Sequence, residues 1–238
     1  MNMLLVDAGN SRIKWGRCES GTWLQRGTAE HAAGALQQAF AELPQPHRIL
    51  VSNVAGEGAA QRIRSACGAW QTPVEFISAQ AEQCGVRNAY ERPAQLGSDR
   101  WAALIAAWHH ERAACLVVNF GTATTVDALS ASGEFLGGLI LPGVQLMQRS
   151  LAHGTAQLET DAGGWREFPR NTADAIHSGA VGATAGAISR QYLALGKPGA
   201  HCLVAGGAAD EMCPHLDLPL LRMEDLVLRG LQIIGQES

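Results

Sequence analysis

Short apolar runs alternate with polar turns and amphipathic stretches along this chain, and they divide it into strands and helices. The first apolar run ends in a small polar turn and is followed at once by a returning strand, which predicts a hairpin. Strands are predicted over residues 3–6, 13–18, 48–53 and 74–77, and helices over residues 29–43, 57–70 and 98–113. The alternation indicates an α/β fold.

The opening pattern returns after residue 113. An apolar run at 115–118 leads into the turn Asn119-Phe120-Gly121-Thr122-Ala123 and a returning strand. Both turns have the form [Asp/Asn]-x-Gly-[Asn/Thr]-[Ser/Ala], which indicates a duplication. We therefore predict two related domains, 1–112 and 113–238, and expect a ligand-binding cleft between them.

Composition narrows the function classes. The chain has 238 residues, 47% of them hydrophobic, which suits one large domain or two small ones with buried cores. A formal net charge of −4 and the lack of a Lys/Arg run argue against a nucleic-acid partner. The N-terminus does not have the pattern of a signal peptide, and no stretch reaches the ~18 apolar residues of a membrane helix. We expect a cytoplasmic protein with no membrane partner.

The first turn carries residues suited to phosphate. Gly9 allows close approach and positive φ, and successive backbone N–H groups can cradle an anion. Lys14 offers a compact positive charge, and Asp7 can hold a Mg²⁺ bound to nucleotide. An ordinary hairpin turn is the alternative interpretation.

Two later turns strengthen the nucleotide interpretation. Gly121 again permits close approach beside the hydroxyl of Thr122, so a second phosphate turn is predicted there. The Gly206-Gly207 pair lies between a predicted strand and helix, where an adenine ring could lie close to backbone. Neither a GxxxxGK[ST] segment nor a GxGxxG after a strand occurs, so the sequence gives little support for a P-loop or Rossmann site.

The segment YERPAQLGSDRW holds the candidate acceptor site. It places Asp99 and Arg100 at the start of a helix, with Ser98 as the predicted N-cap. A carboxylate there can accept a hydroxyl proton, and a guanidinium can hold an anionic group. The alternative is that Asp99 is an acidic residue favoured by the helix dipole.

Five segments together resemble type III pantothenate kinases, also called the Bvg accessory factor family. They are DAGNSRIKWG, YERPAQLGSDRWAAL, NFGTATTVD, GGLILPG and NTADAIHSGAVGA, in this order and spacing over nearly the whole chain. The resemblance implies an α/β fold of duplicated ribonuclease H-like (actin-like ATPase) halves, with mixed central sheets flanked by helices. It also implies ATP-dependent phosphorylation of pantothenate to 4'-phosphopantothenate, the first step of coenzyme A biosynthesis.

The same resemblance implies roles for individual residues. Asp99 would be the catalytic proton acceptor, and the substrates would be ATP with Mg²⁺ and pantothenate. The residues implied to bind ATP are Asp7, Ala8, Gly9, Asn10, Ser11, Arg12, Ile13, Lys14 and Thr122. Those implied to bind pantothenate are Tyr90, Gly97, Ser98, Asp99, Arg100 and Thr172. Thr172 would act from the neighbouring subunit of a homodimer whose acceptor pocket lies near the interface.

One residue departs from the family pattern. The second phosphate turn of the family usually starts with Asp, which helps hold a monovalent cation, whereas this chain has Asn119. A requirement for K⁺ or NH₄⁺ is implied, with its ligand open, because an amide oxygen coordinates a cation without the full charge. Two other functions stay open: a kinase of the same superfamily acting on a sugar or small acid, and a non-catalytic regulatory partner.

Overall fold

The computed structural model describes residues 1–154 and 163–237. They form two compact units. Unit 1 comprises Met1–Arg112, Gly133–Phe135 and Asp225–Ser238, and unit 2 comprises Ala113–Ser132 and Leu136–Glu224. The division of the sequence into domains 1–112 and 113–238 stays a prediction; in space, the C-terminal residues belong with unit 1.

The regular elements alternate between strand and helix as the apolar pattern predicts. In chain order they are β1 (Asn2–Ala8), β2 (Ile13–Glu19), β3 (Thr22–Ala29), α1 (Ala35–Phe40), β4 (Arg48–Asn53), α2 (Glu57–Ala66), β5 (Val74–Phe76), β6 (Glu82–Gln83), β7 (Val86–Asn88), α3 (Ser98–Glu111), β8 (Cys115–Phe120), β9 (Ala123–Leu129), β10 (Glu134–Pro142), α4 (Val144–Gly154), α5 (Thr172–Leu195), β11 (His201–Ala205), α6 (Ala209–Met212), β12 (Leu220–Arg222) and α7 (Leu226–Glu237).

The sheet of unit 1 has the strand order β3-β2-β1-β4-β5. β1 and β2 form the predicted hairpin, with Asp7 opposite Lys14 in the register. β4 then runs parallel to β1, and β5 parallel to β4. β1 is buried over nearly its whole length, as its continuous apolar run predicts.

The sheet of unit 2 repeats this topology. Five neighbouring strands of this seven-stranded sheet lie in the order β10-β9-β8-β11-β12, with β8 and β9 antiparallel and with β11 and β12 parallel to β8, and β7 and β6 follow β10. Asn119 faces Thr125, much as Asp7 faces Lys14 in unit 1. The first residues of β10, Glu134 and Phe135, belong to unit 1 and pair there with β7. The predicted duplication and the mixed central sheets are confirmed.

Each sheet packs on helices through its own apolar core. In unit 1, Trp15 packs edge-on against Phe40, which stacks on Trp70. In unit 2, Val181 and Ile188 of α5 are fully buried against the sheet. Helix α3 is buried along most of its length.

Two local predictions were wrong. A helix was predicted over 29–43, but β3 continues to Ala29, where it pairs with Ile13, and α1 begins only after Gly34, whose φ is 81°. Ser98 was predicted to be the N-cap of α3, but Gly97 holds that position. The Ser98 hydroxyl is buried and bonds to the hydroxyl of Ser52 at 2.9 Å, so it does not cap the helix.

Helix α5 is the longest of the described helices, and its exposed side is built from small residues. Ala175, Gly179, Ala183 and Gly186 are exposed at helical spacing, while Val181 lies on the buried side. Across residues 1–154 and 163–237, no helix has both the length and the apolar content that a bilayer crossing needs.

Candidate functional site

The first turn joins the end of β1 to the start of β2. Its tip, Asn10 to Arg12, is exposed, while Ala8 and Ile13 on either side are buried. The flanking residues therefore anchor the turn in the core, while its tip lies at the surface of the unit.

The glycines of the first and second turns are not required by the protein's own packing. Gly9 does not have a positive φ, so that expectation was wrong. A Cβ at Gly9 would lie 3.5 Å from the Arg12 carbonyl oxygen, and one at Gly121 would lie 3.4 Å from the Ala123 oxygen. Both are ordinary contacts. A bare backbone at these positions leaves the turns open to close approach by a ligand.

His31 supports the first turn, a role that no sequence pattern indicates. Its Nε2 lies 2.8 Å from the Gly9 carbonyl oxygen, and Arg62 Nη2 lies 3.1 Å from its Nδ1. Because a guanidinium only donates, Nδ1 accepts, and Nε2 carries the proton that it donates to Gly9. The helix predicted over 29–43 includes this position, and a helix there does not predict a contact with the turn.

Burial has the largest effect on the ionisation of Asp7. Burial raises the pKa of its carboxyl from 3.8 to about 7, the charges of Asp99 and Asp225 add to the rise, and Lys14 opposes it. Lys14 in turn pairs with Asp225 at 3.4 Å, and Arg26 pairs with the same carboxylate at 3.0 Å. Asp225 was also missed, because an acidic residue before the amphipathic stretch 226–237 indicates only a helix start.

Asp99 occupies the first turn of α3, as predicted. Its Oδ1 accepts a hydrogen bond of 2.8 Å from the backbone N–H of Arg100. A Cβ at Gly97 would lie only 2.6 Å from that Oδ1, so the carboxylate lies directly over a residue without a side chain. Burial raises the pKa of Asp99, and the bond and charge of Arg100 lower it in part.

Arg100 forms an aromatic-lined corner beside Asp99. The side chain is only 6% exposed, and Nη1 donates to the Tyr90 hydroxyl at 3.1 Å. Its guanidinium carbon lies 5.8 Å from the Tyr90 ring centroid and 5.7 Å from that of Phe135. A buried guanidinium held against two rings can bind an anionic or polar group of a ligand.

Unit 1 contains the predicted ATP residues of the first turn and the predicted pantothenate residues Tyr90 and 97–100. The charge of Asp99 contributes to the raised pKa of Asp7. Thr122 and Thr172 lie in unit 2, at the second turn and at the start of α5. Their roles stay predictions.

Close backbone packing fixes the second and third turns within unit 2. A Cβ at Gly143 would lie 2.8 Å from the Thr122 carbonyl oxygen, and Gly143 N–H donates to that oxygen at 2.9 Å. Gly206 has a φ of 100°, and a Cβ there would lie 2.6 Å from the backbone nitrogen of Phe120. Gly207 beside it has open space. The third turn is therefore held against the second by one glycine and leaves the other free to face a ligand.

Solved structures share this fold. A Baf family protein from Campylobacter jejuni matches with a TM-score of 0.64 and 24% identity, covering 98% of each chain. The inorganic polyphosphate/ATP-glucomannokinase of Arthrobacter sp. strain KM matches with a TM-score of 0.52 and 16% identity, covering 100% of this chain and 99% of that one. At these identities the likeness concerns the fold, and it confirms the predicted class.

Sequence comparison is more specific. The family model for type III pantothenate kinase matches residues 3–194. The type III pantothenate kinase of Aromatoleum aromaticum is 50% identical over 238 residues, which cover 99% of this chain and 98% of that protein. The match includes both the Asp7–Lys14 turn and the Asp99–Arg100 corner. The chain belongs to the type III pantothenate kinase family.

Proposed function

We propose that this protein transfers the γ-phosphoryl group of ATP to the primary hydroxyl of pantothenate, forming 4'-phosphopantothenate at the start of coenzyme A biosynthesis, and that Asp99 accepts the hydroxyl proton. The observation that carries the role of Asp99 is its placement: a half-buried carboxylate at a helix start, beside the Arg100 corner and within the electrostatic field of Asp7. Family membership carries the reaction itself.

The reaction combines a proton transfer with a phosphoryl transfer. The O–H bond of pantothenate breaks, and its proton passes to the Asp99 carboxylate. The oxygen forms a bond to the γ-phosphorus, the bond to the β,γ-bridging oxygen breaks, and ADP leaves. Burial raises the pKa of Asp99 and makes it a stronger base than an exposed aspartate, which suits this role.

Arg100 and Tyr90 would orient the acceptor. The guanidinium is held by the Tyr90 hydroxyl and two rings, so its donors point in fixed directions. Gly97 and Ser98 would also line the acceptor site. Gly97 leaves room for the Asp99 carboxylate, and the Ser98 hydroxyl is hydrogen-bonded to that of Ser52. A rigid acceptor site lowers the entropic cost of aligning the hydroxyl with ATP.

The first turn would hold the phosphates. Backbone N–H groups and the hydroxyl of Ser11 would contact phosphate oxygens, and the Lys14 ammonium would stabilise charge on the transferring group. Thr122 would contribute a hydroxyl from the second turn. These assignments are supported by the open backbone at Gly9 and Gly121.

Asp7 fits a Mg²⁺ that arrives with ATP. Its carboxyl is crowded by Asp99 and Asp225, and a divalent cation would neutralise that excess charge. Among residues 1–154 and 163–237, no three His, Cys, Asp or Glu side chains form a metal site. Asp7 would therefore supply one ligand and phosphate and water the rest, which is usual for Mg²⁺, and the ion would neutralise charge on the phosphates.

A monovalent cation would bind beside the second turn. Asn119 and Thr125 are opposite each other in the antiparallel register, so their side chains share one face of the sheet. Asp127 lies two residues along on that same face and is 2% exposed. We assign K⁺ or NH₄⁺ to the Asn119 oxygen, with Asp127 as the nearby negative charge.

The protein would act as a homodimer joined through α5. The exposed face of this helix carries Ala175, Gly179 and Gly186 and ends at Leu193, which is 78% exposed. Apart from the neighbouring residues and nearby backbone of α5 itself, no atom of the described residues lies within 4 Å of a Cβ built at Gly179 or Gly186, so a second helix could approach closely there. Thr172 begins the same face, which would bring it to the partner's acceptor site.

The test is product formation from ATP and Mg²⁺ with pantothenate, with a sugar panel, and with no acceptor. We expect ADP release that depends on pantothenate and yields an equal amount of phosphopantothenate. Release with a sugar alone would support the broader kinase alternative, and nucleotide binding without release would support a regulatory protein.

A salt series in the same assay tests the cation site. Turnover that needs K⁺ or NH₄⁺ and fails in Na⁺ supports the site at Asn119. Equal turnover in all three salts would contradict it and leave the kinase assignment intact.

A further inference from the structure

Asp225 has an unusual backbone. It precedes α7 with a φ of 55°, in the left-handed region that few residues other than glycine adopt. Aspartate tolerates this region better than most, at some cost in free energy.

The Asp225 carboxylate holds the lysine of the phosphate turn. Oδ1 lies 3.4 Å from Lys14 Nζ, and Oδ2 lies 3.0 Å from Arg26 Nη1. Lys14 and Asp7 are partners across the hairpin, and the charge of Asp225 contributes to the raised pKa of Asp7. The carboxylate therefore lies within the electrostatic field of the first turn although it is 211 residues from Lys14 in sequence.

Close packing of helix α7 fixes the position of Asp225, which lies just before its first residue. Any side chain at Gly230 would collide with the backbone of Ala102 in α3. A Cβ at Gly235 would lie 2.7 Å from the sulfur of Met3 in β1. Arg229 N–H donates to the Asp225 carbonyl oxygen at 2.9 Å, which fixes the first turn of the helix. The helix thus packs directly on the elements that carry Asp99 and Asp7.

We propose that Asp225 is a positioning residue that holds the Lys14 ammonium in place for the phosphates of ATP. A lysine has a flexible four-carbon stem and three N–H donors. One donor directed at Asp225 limits the stem to few rotamers and leaves two donors for phosphate oxygens. This inference rests on the proposed function, since Lys14 matters only if the turn binds ATP.

The ion pair is too exposed to act mainly through stability. Lys14 is 36% exposed, and ion pairs at that exposure contribute little to folding. Its effect should therefore appear in the kinetics of phosphoryl transfer, where a fixed cation counts because the phosphoryl charge is stabilised without reorganisation.

Asp225→Asn tests the proposal, because Asn keeps the shape and accepts a positive φ but loses the charge. We expect kcat to fall by about tenfold, with KM for pantothenate within about twofold and an unchanged unfolding midpoint. Arg26→Gln, which removes the other partner of the same carboxylate, should stay within about twofold of wild type. If the Asn variant does not fold, Asp225→Gly accepts the backbone conformation and gives the same comparison.

A double variant separates positioning from structure. In a Lys14→Met background, Asp225→Asn should have almost no further effect on kcat, because the group it positions is gone. An equal fold-loss in both backgrounds, or no loss in either, would overturn the proposal. A wild-type protein without pantothenate-dependent turnover would instead contradict the proposed function, so the two failures are distinguishable.

Discussion

Asp99 owes its position to the residue two places before it. Its Oδ1 lies over Gly97 at 2.6 Å from where a Cβ would be, and the Arg100 N–H holds that oxygen from the other side. Gly97 itself has a φ of −56°, which any residue adopts. The lack of a side chain at position 97 is therefore needed to make room for the Asp99 carboxylate, and the backbone conformation there does not need a glycine.

Gly97→Ala should displace the Asp99 carboxylate and leave the fold intact. We expect kcat to fall by about ten- to a hundredfold, because a shift of about 1 Å at a reacting group has an effect of that size. Steady-state kinetics and circular dichroism check this. Gly58→Ala in α2, where the added Cβ has only a 3.5 Å contact with the Arg62 side chain, is the matched control. Wild-type kcat in a folded Gly97→Ala protein would contradict the geometry described for Asp99.

The pKa of Asp7 links this residue to the stability of the whole protein. Because the folded pKa of about 7 exceeds the ordinary 3.8, the folded state binds a proton more tightly than the unfolded state between those values. Stability from this group is complete below about pH 4 and is lost as pH rises through 7. The Asp7→Asn substitution changes the free energy of unfolding by a different amount at each pH. We expect its effect to be more stabilising at pH 8 than at pH 4 by roughly 2 to 4 kcal/mol, because the wild-type carboxylate is charged only at the higher pH. Urea titrations at the two pH values measure this, and an effect independent of pH would argue against it.

Among the elements, the strand-to-helix turn after β11 gives a matched pair of glycines. Gly206 needs its positive φ and its contact with the Phe120 backbone, while Gly207 has neither constraint. The protein's own packing explains the first glycine. A nearby ligand surface, such as the adenine ring, would explain the second.

Gly206→Ala should destabilise the protein by about 1–3 kcal/mol, because a Cβ there meets backbone and a strained φ. Gly207→Ala should leave the thermal midpoint unchanged and weaken ATP binding. Thermal unfolding with and without ATP measures both effects. If Gly207→Ala binds ATP as tightly as wild type, the adenine ring does not lie against this turn.

Sequence patterns predict an element well when its apolar run and its turn point to one structure. In the two hairpins, a buried apolar strand ends at a glycine-containing turn. Helix α3 has a long apolar body that begins directly after Gly97. Helix α1 is shorter than predicted because an alanine-rich stretch suits a helix locally, while pairing with β2 extends β3 through its first residue. His31 and Asp225 could not be found this way, because their contacts join distant parts of the chain.

At the scale of the molecule, the same strand order occurs in both units, and this was foreseeable from the repeated turns. The position of α7 was not. Its amphipathic pattern predicts a helix that buries one side, but no local signal says which sheet it packs against. It belongs to unit 1, where Gly230 packs against the backbone of Ala102 and Gly235 packs against Met3. Both partners are distant in sequence, so the pattern of α7 does not predict these contacts.

The exposed small-residue face of α5 makes a prediction about assembly. Replacing both Gly179 and Gly186 by Gln should convert a dimer to a monomer, because the added side chains keep a second helix away. Light scattering after size-exclusion chromatography measures the mass, with Glu167→Gln, an exposed change off the helix, as control. A dimeric double variant would show that the subunits meet elsewhere.

The central claim is that Asp99 accepts the proton of the pantothenate hydroxyl, and Asp99→Asn tests it most directly. Asn keeps the size of the side chain and can still accept the Arg100 N–H, but it cannot take up a proton. We predict a fall in kcat of about a hundred- to ten-thousandfold, with ATP binding and the unfolding midpoint retained. Pantothenate-dependent turnover near the wild-type rate in the folded variant would contradict that role.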